Sequence, residues 1–504
     1  MLPRGHHLRN VTGPMKRQHQ ASDSAKHYQR IFTSRSEEEL RVLAHVKRFM
    51  ERLSADAVFR TKLCEHVENP IVVSKEYGIN VDPMDLLPMW HTKYAKHRHT
   101  DEMSRWPKAK AWDDYLAEMI ANRDLIRDAG NTEKSNPRFH AWRERQMRRS
   151  ASELGVSADS VVHAIVAYEL SQGCSVGCWF CGLSAEKFQG NYPYTPENAA
   201  LWRKILQVMV DLFGPASQTG FCYWATDPVD NPDYPKFIED HYRITGHLPQ
   251  TTTAVPLKNL ELTRKVMALH KKYCCITQRF SILSTKVLDR VYDTFTPEEI
   301  MGVELVMQGK DAFMSKAKAG RAEERREKLR AAGKDDKISK IQNDHATIAC
   351  VSGFLINMVT KTVQLVTPKR ASPRWPLGYR IYAEARFTTA AEFRAVVESM
   401  VDVFMPESVP AAEVLSFRHD LEFSALSEGF ELEGRGMKYS CNGMSYMGRL
   451  GRLIHESRTT ASDVIGELVS GGEDIFLVGQ SLQSLYDNGL LDDDLGREGV
   501  ASAG

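Results

Sequence analysis

Ser171-Gln172-Gly173-Cys174-Ser175-Val176-Gly177-Cys178-Trp179-Phe180-Cys181-Gly182 places three cysteines at the spacing C-x3-C-x2-C. Three thiolates are one ligand short of a closed tetrahedral zinc site, and no further His or Cys lies close by in sequence to complete it. They can hold three irons of a [4Fe–4S] cluster and leave the fourth iron open, thiolate being the soft ligand such clusters take. Gly173, Gly177 and Gly182 let the loop wrap tightly, because glycine accepts backbone angles closed to other residues. A structural zinc or an electron-transfer cluster is the competing use of the same residues.

The loop follows directly on the apolar run 161–169, the first of a series of short β-branched or apolar segments at 219–225, 250–254, 274–283, 302–307 and 347–357. Helix-like stretches lie between them, at Pro196–Phe213, Tyr234–Thr245 and Leu260–Lys272. That alternation predicts an α/β fold with βαβ units and a parallel sheet or barrel over 151–385. Upstream, 36–150 reads as helical. Ser36 and Glu39 form a capping box ahead of Leu43, Val46, Met50 and Leu53 at helical spacing, and Gly78 ends a third short helix. Downstream, 362–367 is a further strand, 374–379 a turn-rich aromatic segment, and 386–488 an α+β region. The ends, 1–35 and 489–504, read as a disordered tail and a flexible tail. Residues 310–340 carry 11 Lys/Arg against 6 Asp/Glu, which reads as a solvated helix or linker, with an acidic-peptide landing site as the functional alternative.

Composition narrows the function. A 504-residue chain with 42% hydrophobic residues, 26% charged residues and a net charge of +1 points to neither nucleic acid nor an anionic membrane. There is no apolar run of about 18 residues and no signal-peptide core, so a cytoplasmic protein without a membrane span is expected. Nine scattered cysteines form no disulfide framework. No G-x-x-x-x-G-K-[ST] loop and no H-E-x-x-H occur, which disfavours a nucleotide-triphosphate enzyme and a zinc protease.

The cysteine spacing, the aromatic before the last cysteine and the position after a first strand together resemble the radical S-adenosylmethionine (SAM) superfamily. The resemblance implies a partial (β/α)6 barrel with an N-terminal helical domain and a C-terminal α+β accessory domain. It also implies one [4Fe–4S] cluster on Cys174, Cys178 and Cys181, whose open iron binds SAM, and Phe180 packing against adenine. Asp227, in Ala225-Thr226-Asp227-Pro228, stands where the superfamily's Gly-Gly-Glu-Pro stretch binds the SAM amino group, one methylene shorter. Arg279 is a candidate for the SAM carboxylate, with a surface ion pair as its alternative; Ser281, Thr253 and Thr251 are further pocket candidates.

The segments 171–190, 223–232, 349–358 and 374–379 resemble the radical SAM peptide epimerases of proteusin-type ribosomal peptides, over about residues 40 to 450. This implies conversion of L-residues to D-residues in a precursor peptide with a leader, driven by a flavodoxin- or ferredoxin-type reductant. Inversion needs a hydrogen atom returned to Cα from the opposite face, and a thiol S–H is weak enough to supply it. Cys350 is the first candidate, on a late strand whose alternation puts Cys350 and Ser352 on one face; a buried core residue is its alternative. Cys441 is the second candidate and Cys222 the third. The five non-cluster cysteines outside the N-terminal unit lack cluster spacing, which disfavours a second cluster. The competing enzyme class is another radical SAM peptide modifier, a C-methyltransferase or Cα crosslinker. The helices of 36–95 are similar to leader regions of such precursors, or else form a plain helical cap on the barrel.

Overall fold

The computed structural model describes residues 25–155, 158, 161–276, 278–309, 311–313, 317–335 and 346–493. Helix α1 (Glu37–Ala55) starts at the expected capping box: Ser36 N–H donates to Glu39 Oε2 at 2.7 Å, and Glu39 N–H donates to Ser36 Oγ at 3.2 Å. It packs with α2 (Ala57–Glu65), α3 (Ile71–Glu76) and α4 (Pro107–Ala129) around Phe49, Phe59, Leu63, Trp106 and Trp112. Ile31, within the span 1–35 expected to be a disordered tail, is fully buried in the same cluster; residues 1–24 lie outside the described residues. Ile276 and Met301, beside the strands, complete this core and seat the helices against the central sheets. Helix α5 (Pro137–Leu154) then leads into the first strand.

Strand β1 (Ala164–Glu169) is buried along its whole length, as a parallel strand covered on both faces should be. Two short strands, β2 (Ser171–Gln172) and β3 (Gly190–Asn191), pair antiparallel and close the cysteine loop at its base. Helices α6 (Pro196–Phe213), α7 (Tyr234–Thr245) and α8 (Leu260–Lys272) occupy the expected ranges, α6 and α8 capped by Thr195 and Asn259. Strands β4 (Thr251–Thr253), β5 (Gln278–Ile282) and β6 (Val303–Met307) form a parallel sheet, with α9 (Thr285–Thr294) crossing between the last two. The strand expected over 219–225 is reduced to one parallel bridge, Ala167 to Phe221. Beyond it the chain is held by side chains instead: Glu169 Oε1 accepts from Ala225 N–H, and the Tyr223 hydroxyl accepts from Gln250 Nε2 and Thr252 Oγ1.

After α10 (Gly320–Ala331), β7 (Val351–Asn357) runs parallel beside β1, from Ala164 opposite Val351 to Glu169 opposite Asn357. Strands β8 (Thr362–Pro368) and β9 (Tyr379–Arg386) extend this sheet antiparallel, giving the order β1-β7-β8-β9. The protein is therefore mixed α/β. Helix α11 (Ala390–Phe404) covers the sheet, and the C-terminal part is a three-stranded antiparallel sheet, β10 (Glu422–Leu426), β11 (Gly429–Glu433) and β12 (Lys438–Asn442), followed by α12 (Met447–Glu456), α13 (Ala461–Ser470) and α14 (Ile475–Asp487). Residues 489–493, expected within the flexible tail 489–504, are packed, and 494–504 lie outside the described residues. Leu490 and Leu491 are buried, and Asp493 accepts from Arg380 at 2.5 Å, Tyr382 at 2.7 Å and Gln146 at 3.1 Å. Among the described residues no helix is long and apolar enough to cross a membrane.

Candidate functional site: the cysteine loop and an adjoining cavity

The loop between β2 and β3 is fixed by its backbone. Cys174 N–H donates to Glu186 O at 2.9 Å and Gln189 N–H to Gln172 O at 2.8 Å. Gly173 has φ +71°, and a Cβ there would stand 2.2 Å from Lys187 O, so only glycine lets the two sides of the loop approach. Backbone amides point at two of the sulfurs: Val176 N–H at Cys174 Sγ (3.5 Å) and Ala185 N–H at Cys181 Sγ (3.4 Å). Burial lifts the Cys174 thiol to about 11 and the Cys178 thiol to about 12, the latter pushed further by the sulfurs of Cys174 and Cys181 on either side. The three sulfurs thus share one neighbourhood. Three soft thiolate donors on one loop suit iron or zinc, and as three they would hold three irons of a [4Fe–4S] cluster.

The charged stretch 310–340 supplies an unexpected part of this loop. Arg321 forks onto Cys178 O (3.0 Å) and Ala185 O (2.7 Å), and Arg325 lies over the Trp179 ring at 4.9 Å. Helix α10 is a clasp rather than a free solvated helix, although 336–345 lie outside the described residues. Phe180 packs against Ala317, Ala319 and Ala322. Ser175 donates through its N–H and hydroxyl to Asp230, which also pairs with Lys258 at 2.7 Å.

Asp227 lies beside the cysteines, its charge contributing to the raised thiols of Cys174 and Cys178. Both its oxygens are engaged: Oδ1 accepts from Thr253 Oγ1 (2.8 Å) and Val229 N–H (3.0 Å), and Oδ2 from Ala254 N–H (2.8 Å). Thr253 therefore ties Asp227 to the end of β4. Thr251 instead bonds the Tyr234 hydroxyl at 2.9 Å, and Ser281 is half-buried on the Arg279 side of β5. Glu169 was not legible as a site residue. It closes β1, accepts from Ala225 N–H and Asn357 Nδ2, and burial pushes its carboxyl up to about 7. Its one sequence signal is a lone carboxylate at the end of an apolar strand.

A cavity of about 370 Å³ opens between α1 and α4 on one side and the strands on the other. Gln250, Gln278, Arg279, Glu304 and Cys350 form its polar wall, and Met50, Trp112, Leu116 and Met119 its apolar wall. Arg279 donates through Nε to Glu304 at 2.6 Å, and Cys350 and Tyr223 are its charge neighbours. The ion pair read as the alternative for Arg279 is thus present, within the cavity rather than at the surface. Burial pushes the Cys350 thiol up to about 11, so it stays protonated. Cys350 also joins the apolar cluster containing Ala349, Val351 and Leu183, the last of these just beyond Cys181. Ser352, expected on the face of Cys350, does not line the cavity and bonds His163 (2.8 Å) and Thr367 (3.0 Å); Cys350 lies just ahead of β7, where the pairing with β1 shifts register between Ala164 and Val166. Cys441 lies in β12 opposite Phe430 in the C-terminal cluster, and Cys222 is buried in the main core; neither lines the cavity.

A curated relative, Uncharacterized protein y4wI of Sinorhizobium fredii, is 48% identical over 471 residues, covering 93% of this chain and 91% of the relative. The chain belongs to the y4wI family. No protein-family model matches it. Among solved structures, BtrN in complex with AdoMet and 2-DOIA aligns with 40% of the y4wI-family chain and 71% of its own, at 12% identity and a TM-score of 0.25, too low to establish a common fold.

Proposed function

We propose that this y4wI-family protein is a radical SAM enzyme that inverts Cα centres in a ribosomally made peptide. One observation carries the reading. Leu183, just beyond Cys181, and a separate protonated thiol, Cys350, pack against one apolar cluster although about 170 residues separate them in sequence. When bound, the cluster and SAM would supply the electron and the adenosyl radical that removes a Cα hydrogen. The chain's own residues do the rest. Cys174, Cys178 and Cys181 would hold three irons, with the Arg321 clasp and the Gly173 turn fixing their spacing. Asp227 and Thr253 shape the neighbouring end of β4.

Cys350 then gives its sulfur-bound hydrogen atom to the planar carbon from the other side. The S–H bond breaks, a Cα–H bond forms, and the sulfur radical left on Cys350 is restored by one electron from a flavodoxin- or ferredoxin-type reductant and one proton from solvent. A thiol held near 11 is in the right state for this step, since a thiolate has no hydrogen atom to give. The test is turnover of a precursor peptide in D2O by wild type and Cys350→Ala. Wild type should add one deuteron per D-residue with no other mass change, and the variant should still form 5′-deoxyadenosine without D-residues. D-residues at the wild-type level in Cys350→Ala would reject Cys350 as donor; a gain of a methylene's mass would favour a methyltransferase, and a loss of two hydrogens a crosslinking enzyme.

A further inference from the structure

The cavity beside Cys350 holds more information than a donor needs. It is lined by five charged side chains, and every one is already paired: Lys47 with Glu51, Arg279 with Glu304, and Arg123 with Asp124. Trp112, Leu116, Met119 and Ile126 of α4 with Met50 of α1 give it a largely apolar helical side, interrupted by Asn122. About 370 Å³ lies near the lower end of the range for small-ligand sites, roughly 300–1,000 Å³. That suits one amino-acid side chain with its flanking backbone. Ile120, half exposed on the same helix, marks the mouth.

From this we infer that the cavity receives the side chain of the residue being inverted, and that it selects uncharged, apolar side chains. The inference rests on the peptide-epimerase reading and adds the substrate class to it. A charged side chain entering here would meet charges already paired and would lose part of its water, which is costly. An apolar one would replace water on Trp112, Leu116 and Met119 at a gain proportional to the area covered. The amide groups of Gln250 and Gln278 stand on the opposite wall, where they suit the flanking peptide groups of an extended substrate. The N-terminal helices thereby become the specificity element: α4 sets the size of the residue accepted, and the strands carry the chemistry.

The test uses the full chain and synthetic acetyl-Gly-Gly-Xaa-Gly-Gly amides, read by the fluorescence of Trp112 with Trp112→Phe as the blank. Val, Leu and Met peptides should change the Trp112 signal, and Lys and Glu peptides should bind about tenfold or more weakly. Leu116→Trp, which fills the cavity, should abolish the response to Leu. Met119→Ala, which only removes atoms and so keeps a decision available if the first variant misfolds, should improve a Phe peptide relative to Val. Equal binding of Lys and Leu peptides, or no shift in preference with Met119→Ala, would overturn the inference. A parallel assay of 5′-deoxyadenosine on the reconstituted enzyme separates the two levels. Side-chain selectivity without SAM cleavage supports the cavity and refutes the radical reading; SAM cleavage without selectivity does the reverse.

Discussion

Replacing Gly173 by Ala should cost far more than replacing Gly177, although both glycines are left-handed, at φ +71° and +63°. A Cβ at Gly177 meets nothing within 4 Å, so the cost there is conformational, roughly 1–2 kcal/mol for a non-glycine residue in this region. At Gly173 the same cost applies, and the new carbon also lies 2.2 Å from Lys187 O and 2.7 Å from Lys187 C, main-chain atoms that no side-chain rotation can move. Relieving that clash separates β2 from β3 and endangers the bonds Cys174 N–H to Glu186 O and Gln189 N–H to Gln172 O, at about 1 kcal/mol each. The expected total is about 3–4 kcal/mol, concentrated on the loop that carries all three cysteines. The assay is iron and sulfide content after anaerobic reconstitution, with thermal melting of the cofactor-free protein alongside. Gly173→Ala should retain little cluster and Gly177→Ala most of it. Equal iron content in the two variants would refute the reasoning that the close approach at Gly173 shapes the site.

Arg321→Ala removes two charge-assisted bonds to the loop, each worth about 1.5–3 kcal/mol, and should lower iron per chain; Arg321→Lys should restore it only in part, because an ammonium cannot fork onto Cys178 O and Ala185 O. Acid should destabilise the fold in a defined window. Burial holds His241 and His247 down to about 4 and His270 to about 3, so these rings stay neutral in the folded chain while the unfolded chain takes up protons below about 6.5. Their contribution is full above pH 6.5 and is lost as pH falls toward 4, by up to about 1.4 kcal/mol per pH unit for each ring. Glu169, raised to about 7, works the other way, its folded state binding the extra proton between about 4.5 and 7, and offsets roughly one ring. Melting temperature should therefore fall from pH 6.5 to pH 4; a flat or rising profile would contradict this. Truncation after residue 488 removes Leu490, Leu491 and Asp493 and leaves Arg380 buried without its carboxylate, which should destabilise the chain by about 3–5 kcal/mol, measurable as a lowered melting temperature.

Local signals carried well into the structure, and long-range ones did not. Thr195 and Asn259 are caps, and Pro196–Phe213 and Leu260–Lys272 are amphipathic, so these helices could be read to the residue. The segment 219–225 has strand composition, but its pairing is decided by Glu169 and Tyr223, side chains that act across the fold. Strand β9 was hidden behind the turn signals of Pro376 and Gly378, and β12 is an edge with no apolar run to announce it. The cysteine loop was legible because its three cysteines sit in one stretch of chain. The cavity was not, since α1, α4, β5, β6 and the start of β7 each contribute only a few residues to it. Arg321 was read as one charge in a charged run, and only its placement against Cys178 O gives it a role.

Whether Cys174, Cys178 and Cys181 hold a cluster that cleaves SAM is decided by incubating the anaerobically reconstituted protein with SAM and dithionite and quantifying 5′-deoxyadenosine, beside a variant with all three cysteines changed to Ala. 5′-Deoxyadenosine is expected from the wild-type chain and none above background from the variant. No product from a wild-type chain loaded with four irons, or equal product from the variant, would contradict that role for the three cysteines.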